Sequence, residues 1–247
     1  MNLKDKTTAM RLGGHKLGEV KRALQVFTKP GCTFAQIEAE AQRLIKAAGC
    51  VPSFSTVPGY HWATCIMKND EMCHGIPAPE KVVESGDVVT IDVGLKQDGF
   101  HLDTTITFVV GDAPLQTQEF VNAGAKILKR AIDAARVGRS VYDVSKVIET
   151  ELQKRGYGAV YQLTGHGVGE ELHMDPAIPC VADAADRRQR FYVGQTVAIE
   201  VMYARGNPHL IVDDDGWTYR TKDGSLSGMF EETVLITQNG PEILTVG

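Results

Sequence analysis

The sequence predicts an α+β fold: one unit of two helices followed by antiparallel strands, used twice, with the helices on one side of a shared sheet. Three observations carry this. Apolar residues recur at helical spacing in four stretches, and two of those stretches match each other at an offset of 107 positions. Runs of strand-forming residues then follow each copy.

The first helix is expected over about residues 4–28, where Met10, Leu17, Val20, Leu24 and Phe27 share a face and Pro30-Gly31 stop it. Thr33 then serves as an N-cap, with Gln36 placed to complete a capping box. The helix it opens carries Ile37, Ala41, Leu44 and Ile45 on one side and ends at Gly49. The pattern returns downstream. Gly31-Cys32-Thr33-Phe34 becomes Gly138-Arg139-Ser140-Val141, and Ile37, Ala41, Ile45 and Gly49 are answered by Val144, Ile148, Leu152 and Gly156. A helix over about 117–135 precedes this second copy.

Strands are expected at 88–93 and 104–110 in the first half, and at 196–201, 210–212 and 231–236 in the second. No Pro/Gly/Ser linker divides the chain. It therefore reads as one domain, 1–247, of two pseudo-symmetric halves, about 1–112 and 113–247. Residues 183–190 (DAADRRQR) read as a solvated surface loop.

Composition narrows the function. The 247 residues are 43% hydrophobic and 23% charged, with a formal net charge of −5, which gives no general electrostatic reason to expect nucleic-acid recognition or an anionic membrane. No stretch approaches the roughly 18 apolar residues of a membrane helix. Lys4, Asp5, Lys6, Arg11 and Lys16 interrupt the N-terminal region, so it lacks the apolar core of a signal peptide and the cytoplasm is expected. Cys32, Cys50, Cys65, Cys73 and Cys180 are scattered and never spaced as CxxC, and read as small, reduced, buried or half-buried thiols.

Four acids stand in apolar strand runs: Asp92 in VVTIDV, Asp103 before TTITFVV, Glu200 within TVAIEVM, and Glu231 ahead of TVLI. Any one alone would read as an edge-strand or solvent-facing acid. Four, two per half, suggest a shared central site. A buried carboxylate needs a partner, a proton or a metal, and the same runs hold no Lys or Arg. Two divalent ions would balance four carboxylates. His166 lies among the glycines of GHGVG, His173 follows in ELHMDP, and His74 lies in CHGIP, so these histidines read as residents of glycine- and proline-bounded turns. A lone histidine is more often structural than a ligand. An oxygen-rich site with one imidazole suits Mn²⁺, Fe²⁺ or Co²⁺ better than a thiolate-type zinc site, with Zn²⁺ a further candidate.

The ordered series Asn69…His74-Gly75-Ile76-Pro77, Ile91-Asp92-Val93-Gly94, Asp103-Thr104-Thr105, Gly165-His166-Gly167-Val168-Gly169…His173, Ile199-Glu200 and Phe230-Glu231 resembles the methionine aminopeptidases. The likeness runs nearly the length of the chain, and the tail from Asp215 to Ser227 is also similar to that family. It implies the pita-bread fold, whose internal pseudo-symmetry fits the repeat. The chain has neither the added N-terminal domain of prolidase-type relatives nor the long insertion of type 2 enzymes, and so resembles type 1. The resemblance implies that Asp92, Asp103, His166, Glu200 and Glu231 hold two metals, with Asp103 and Glu231 bridging. It implies attack of a metal-activated water on the scissile carbonyl, with Glu200 shuttling a proton, His173 donating to the oxyanion and His74 contacting the scissile amide nitrogen. Tyr60, Cys65, His74, Leu172 and Trp217 resemble the pocket for the methionine side chain. The implied substrates are nascent N-termini whose second residue is small, the implied state is a monomer, and contact with the ribosome through the arginines of 187–190 is an open possibility.

The chain departs from that pattern at Val201, where Pro often follows the ligating Glu, and at Glu232, where His often follows the last ligand. Leu172 stands where an aromatic is frequent, and the segment between Tyr60 and Cys65 is shortened. These changes bear on the pocket and leave the ligand set whole. Two other readings stay open at this point: an Xaa-Pro aminopeptidase-like hydrolase, and a non-catalytic peptide-binding module of the same fold.

Overall fold

The computed structural model describes residues 3–246; residues 1, 2 and 247 of the expected domain lie outside the described residues. The first half runs α1 (Leu3–Phe27), α2 (Phe34–Ala47), β1 (Val51–Pro52), β2 (Thr64–Lys68), β3 (Glu71–Cys73), β4 (Val88–Gln97) and β5 (Phe100–Val109). The second runs α3 (Leu115–Ala134), α4 (Val141–Gln153), β6 (Gly158–Ala159), β7 (Thr164–Gly167), β8 (Met174–Pro179), β9 (Thr196–Ala204), β10 (Leu210–Val212), β11 (Tyr219–Thr221), β12 (Ser227–Thr237) and β13 (Gly240–Ile243). Ten strands form one sheet in the order β1-β4-β5-β12-β9-β7-β8, with β2 on β4, β6 on β9 and β13 on β12. The remaining three, β10-β11-β3, make a small separate sheet.

The repeat reaches down to single hydrogen bonds. Thr33 and Ser140 each sit in extended conformation at the head of their helix and close a capping box, with Gln36 in one copy and Asp143 in the other. Gly49 and Gly156 end the two helices at φ of +72° and +70°, a left-handed turn that costs glycine nothing. The next N–H in each copy, from Cys50 and Tyr157, donates back to Ile45 and Leu152. The strap beyond each helix is matched too. Gly31 N–H donates to Val83 O and Val83 N–H to Cys32 O; Gly138 N–H donates to Phe191 O and Phe191 N–H to Arg139 O. The second strap is reached through the surface loop expected at 183–190, which is mostly exposed and contains a 3-10 turn, Ala184–Arg188, before Arg190 bridges Ser140.

Which face the helices cover follows from strand alternation. Asp92, Glu200 and Glu231 occupy one face, so Ile91, Val93, Ile199, Val201, Phe230 and Glu232 turn to the other. Ile91 and Val93 pack with Leu17, Leu24 and Ile37 of α1 and α2. Ile199, Val201 and Phe230 pack with Phe120, Ile127 and Val144 of α3 and α4. The helices thus back the sheet, and the acids face away from them.

Helix–sheet contact is closest at helical glycines. A β-carbon on Gly14 of α1 would stand 2.4 Å from the Leu244 carbonyl oxygen, and one on Gly124 of α3 would stand 2.5 Å from the Phe230 ring. Alanine in a helix is intrinsically better than glycine by about 1 kcal/mol. Here overpacking against backbone, about 1–3 kcal/mol, outweighs that gain. Gly14→Ala should therefore lower the melting temperature by a few degrees, measured by thermal unfolding; a rise would mean that α1 does not sit this tightly.

Candidate metal centre

The four strands at the middle of the sheet carry the acids in register. Asp92 of β4 pairs with Thr105 of β5, Thr105 with Glu231 of β12, and Glu231 with Glu200 of β9. This is a straight row across four strands spaced about 4.8 Å apart. Asp103 lies two residues along β5 from Thr105 and so shares the face. His166 joins from β7, opposite Ala198, two residues from Glu200. The acids stand well inside their strands. Asp103 and Glu231 were expected at the heads of runs, but β5 begins at Phe100 and β12 at Ser227.

His166 corrects a second expectation: it lies on a strand, beside a β-bulge, and not in a turn. Its flanking glycines serve close backbone packing. A β-carbon on Gly165 would meet Ala198 O at 2.6 Å, and one on Gly167 would meet Asp175 O at 2.2 Å. His166 Nδ1 lies 2.9 Å from Gly167 O. A carbonyl only accepts, so Nδ1 carries the proton and the Nε2 lone pair faces inward. Nε2 is 3.5 Å from Glu200 Oε1 and 4.0 Å from Asp103 Oδ2. Burial, reinforced by His173, lowers the His166 pKa to about 4, so the ring is neutral and ligand-competent.

Charge decides what belongs here. Asp92, Asp103, Glu200 and Glu231 are all buried, at 7%, 4%, 7% and 2% exposure. Among the described residues no Lys or Arg pairs with any of them. Burial raises the proton affinity of all four, and the neighbouring carboxylates raise it further for Asp103, Glu200 and Glu231. Asp103 Oδ1 and Glu231 Oε1 are buried without any hydrogen-bond partner. Asp103, His166 and Glu231 each offer a ligand atom within 4.8 Å of the others. Unpartnered carboxylate oxygens facing a neutral imidazole nitrogen fit divalent metal, which supplies the missing positive charge.

A cavity of about 330 Å³ opens on this cluster and is lined by every residue the sequence nominated: Tyr60, Cys65, His74, Asp92, Asp103, His166, Leu172, His173, Glu200, Trp217 and Glu231. His74 holds a left-handed backbone, φ +56°, and packs edge-on against Tyr219 with ring centroids 5.6 Å apart. His173 is exposed, its ring 4.5 Å from that of His166. Tyr60 packs edge-on against both Trp62 and Trp217, at 5.1 Å each. Burial and the Asp92 charge hold the Cys65 and Cys73 thiols neutral.

Sequence reasoning missed Phe54, Cys73, Gln162 and Met229 in the lining, and Thr105 between Asp92 and Glu231. The Thr105 hydroxyl lies 2.8 Å from Glu231 Oε2 and 3.0 Å from Asp92 Oδ1. Its position two residues after Asp103, on the same face, was the available signal. The departures at 201 and 232 turn away from the site. Val201 is core, and Glu232 accepts from Lys21 of α1 at 2.6 Å on the helix side of the sheet.

These carboxyl groups make the metal-free protein sensitive to pH. Raised folded-state pKa values mean that their neutral forms stabilise the fold. That contribution is whole below about pH 4 and is lost as pH rises through the raised values. Bound divalent ions replace those protons. The melting-temperature gap between metal-loaded and EDTA-treated protein should widen from about pH 5.5 to about pH 8. A gap that stays constant or narrows would contradict a carboxylate-ligated site.

The likeness to known proteins matches this geometry. The model of metallopeptidase family M24 matches residues 8–238. A methionine aminopeptidase of Aquifex aeolicus is 37% identical over 244 residues, covering 96% of this chain and 94% of that protein. Methionine aminopeptidase 1 of Mycobacterium tuberculosis is 37% identical over 245 residues, covering 97% and 92%. The crystal structure of the Thermotoga maritima methionine aminopeptidase superposes with a TM-score of 0.95 at 35% identity, covering 98% of this chain and 97% of that one. The fold is the pita-bread fold, its duplicated halves meeting at a row of buried acids, and the chain belongs to metallopeptidase family M24, among its methionine aminopeptidases.

Proposed function

We propose that this chain removes the N-terminal methionine of newly made polypeptides when the second residue is small, using two divalent ions held by Asp92, Asp103, His166, Glu200 and Glu231. The observation that carries the proposal is that one cavity is lined both by these five side chains and by the aromatic rings and thiols of Tyr60, Trp217, Cys65 and Cys73. Asp92, Asp103, Glu200 and Glu231 would hold the ions through carboxylate oxygens, and His166 through its Nε2 nitrogen. When bound, such ions polarise the scissile carbonyl and acidify a water for attack on it. The oxygen-rich ligand set favours Mn²⁺, Fe²⁺ or Co²⁺ over Zn²⁺.

The chain's own residues do the rest. Glu200, buried with its proton affinity raised, accepts a proton and passes it to the leaving nitrogen. His173 stands outside the ligand set and donates to the developing oxyanion. His74, whose pKa burial lowers to about 4, is neutral and contacts the scissile amide nitrogen, its unprotonated ring nitrogen accepting from that N–H. Tyr60, Cys65, Leu172 and Trp217 enclose the methionine side chain, whose thioether suits aromatic and sulfur contacts. The continuous sheet supports one catalytic domain spanning both halves. Five free thiols support a reducing compartment such as the cytoplasm. Exposed Arg188 is the freest candidate for a ribosomal contact, since Arg187 stacks on Tyr142 and Arg190 donates to Gly138 O.

Release of methionine from Met-Gly peptides, with and without added Mn²⁺, Fe²⁺ or Co²⁺, tests the proposal directly. Equal turnover of Met-Gly and Met-Lys peptides, or of Leu- and Met-headed ones, would sink it, and a preference for Xaa-Pro peptides would favour the rival hydrolase. The two histidines of the site should separate. His166→Ala should lower metal stoichiometry. His173→Ala should keep both ions and the melting temperature while kcat falls on the order of 10²–10³-fold. Metal loss from His173→Ala equal to that of His166→Ala would refute the assigned roles.

A further inference from the structure

The strongest unexplained group outside the metal ligands is Glu38. It lies on α2 at 4% exposure, next to Ile37 and three residues before Ala41, positions that bury the apolar face of the helix. Its carboxylate is fully occupied by hydrogen bonds. Oε1 accepts from Ala63 N–H at 2.8 Å and from the Gln42 amide at 2.7 Å. Oε2 accepts from Thr64 N–H at 3.0 Å and from the Thr64 hydroxyl at 2.5 Å. Two oxygens with two donors each saturate a carboxylate. An apolar side chain would complete the helix face at lower desolvation cost, so the acid is explained by what it holds.

What it holds is the segment leading into the cavity wall. Thr64 O accepts from the Tyr60 hydroxyl at 2.8 Å, and Gly75 O, next to His74, lies 3.3 Å from the same hydroxyl. Tyr60 in turn packs on Trp62 and Trp217, and Cys65 follows Thr64 directly. Glu38, Thr64, Tyr60 and Trp217 thus form one chain of contacts from α2 to the wall. We propose that Glu38, which touches neither metal nor substrate, is a positioning residue that fixes this wall and sets the preference for methionine over other apolar N-terminal side chains. The inference rests on the methionine-releasing function proposed above. It gives that function a rigid wall despite the shortened segment between Tyr60 and Cys65, because three hydrogen bonds from Ala63 and Thr64 to Glu38 replace what a longer loop would supply by packing.

The test uses the metal-loaded chain and two readouts. Both tryptophans of the sequence, Trp62 and Trp217, flank Tyr60, so intrinsic fluorescence reports the wall while free methionine or leucine is titrated. Glu38→Gln turns one acceptor into a donor facing backbone N–H groups. It should keep its metals and raise KM for a Met-Gly peptide about tenfold, with kcat within about threefold, and narrow the methionine-over-leucine binding ratio about tenfold. Glu38→Asp, which keeps both oxygens, should recover part of the loss. A folded Glu38→Gln with wild-type KM and wild-type binding ratio overturns the inference, as does a loss of kcat that tracks metal loss. If Glu38→Gln does not fold, Thr64→Val removes one donor without touching the charge and should show a smaller shift in the same direction; a wild-type ratio there overturns it equally. A wild-type chain that binds methionine selectively yet releases none from peptides refutes the function while the binding ratio still judges Glu38. A wild-type chain that binds both amino acids equally refutes both.

Discussion

Three carboxylates buried in one row, with a fourth, Asp103, two residues along β5 on the same face and no cation among the described residues paired with any of them, are the constraint that organises this molecule. Each is tolerable only as a neutral acid or as a metal ligand, and the choice depends on pH and on metal supply. The sheet must therefore be stiff enough to keep like charges together. Hydroxyl groups supply part of that stiffness. Thr105 reaches toward two of the acids, while the Thr233 hydroxyl donates to Asp103 O and accepts from Asp103 N–H. Behind the sheet, Lys21 and Glu232 pair on the helix side, with Thr104 donating to Glu232. Charge on that side is neutralised within the fold, and charge on the acid side is left for metal.

Much of this was legible in the sequence because buried charge and helix caps are loud signals. An acid inside VVTIDV or TVAIEVM contradicts its surroundings, and that contradiction located Asp92 and Glu200 without any template. Thr33 with Gln36, and Gly49 with Gly156, fixed helix ends for the same reason: each residue satisfies a backbone need that few others can. The strands bearing His166 and Met174–Pro179 were hidden because glycine and proline ordinarily punctuate turns. In GHGVG the glycines answer a different need, the near contact of three strands, which no local pattern encodes. Glu38 was invisible for a related reason. Its partners lie 25 and 26 residues away, and nothing in FAQIEAEAQ distinguishes a buried glutamate from a solvated one.

The departures from the family pattern divide along the same line. Val201 and Glu232 neighbour Glu200 and Glu231 in sequence but face the helices, since alternation sends adjacent residues to opposite sides of a strand. Val201 packs in the core and Glu232 pairs with Lys21 of α1, both on the helix side of the sheet. Leu172 and the shortened approach to Cys65 lie on the cavity side, so differences in substrate preference should be sought there.

Pseudo-symmetry also explains how a duplicated scaffold came to hold an asymmetric site. Asp92 and Glu200 occupy equivalent places, 108 positions apart, and so do Thr90 and Ala198. Across the sheet Ala198 is paired with His166, and Thr90 is paired with Met67. The same structural position therefore gives an imidazole in one half and a thioether in the other. His166 turns a nitrogen lone pair to the acids, whereas Met67 is fully buried and its sulfur accepts from Gly75 N–H at 3.3 Å, beneath the turn that carries His74. One half adds an imidazole to the acid cluster, and in the other half the equivalent residue supports the turn that holds the cavity-lining His74 at φ +56°. Division of the two tasks between the halves leaves the four acids on the central strands β4, β5, β9 and β12, while the cavity wall takes Tyr60, His74 and Trp217 from outside them.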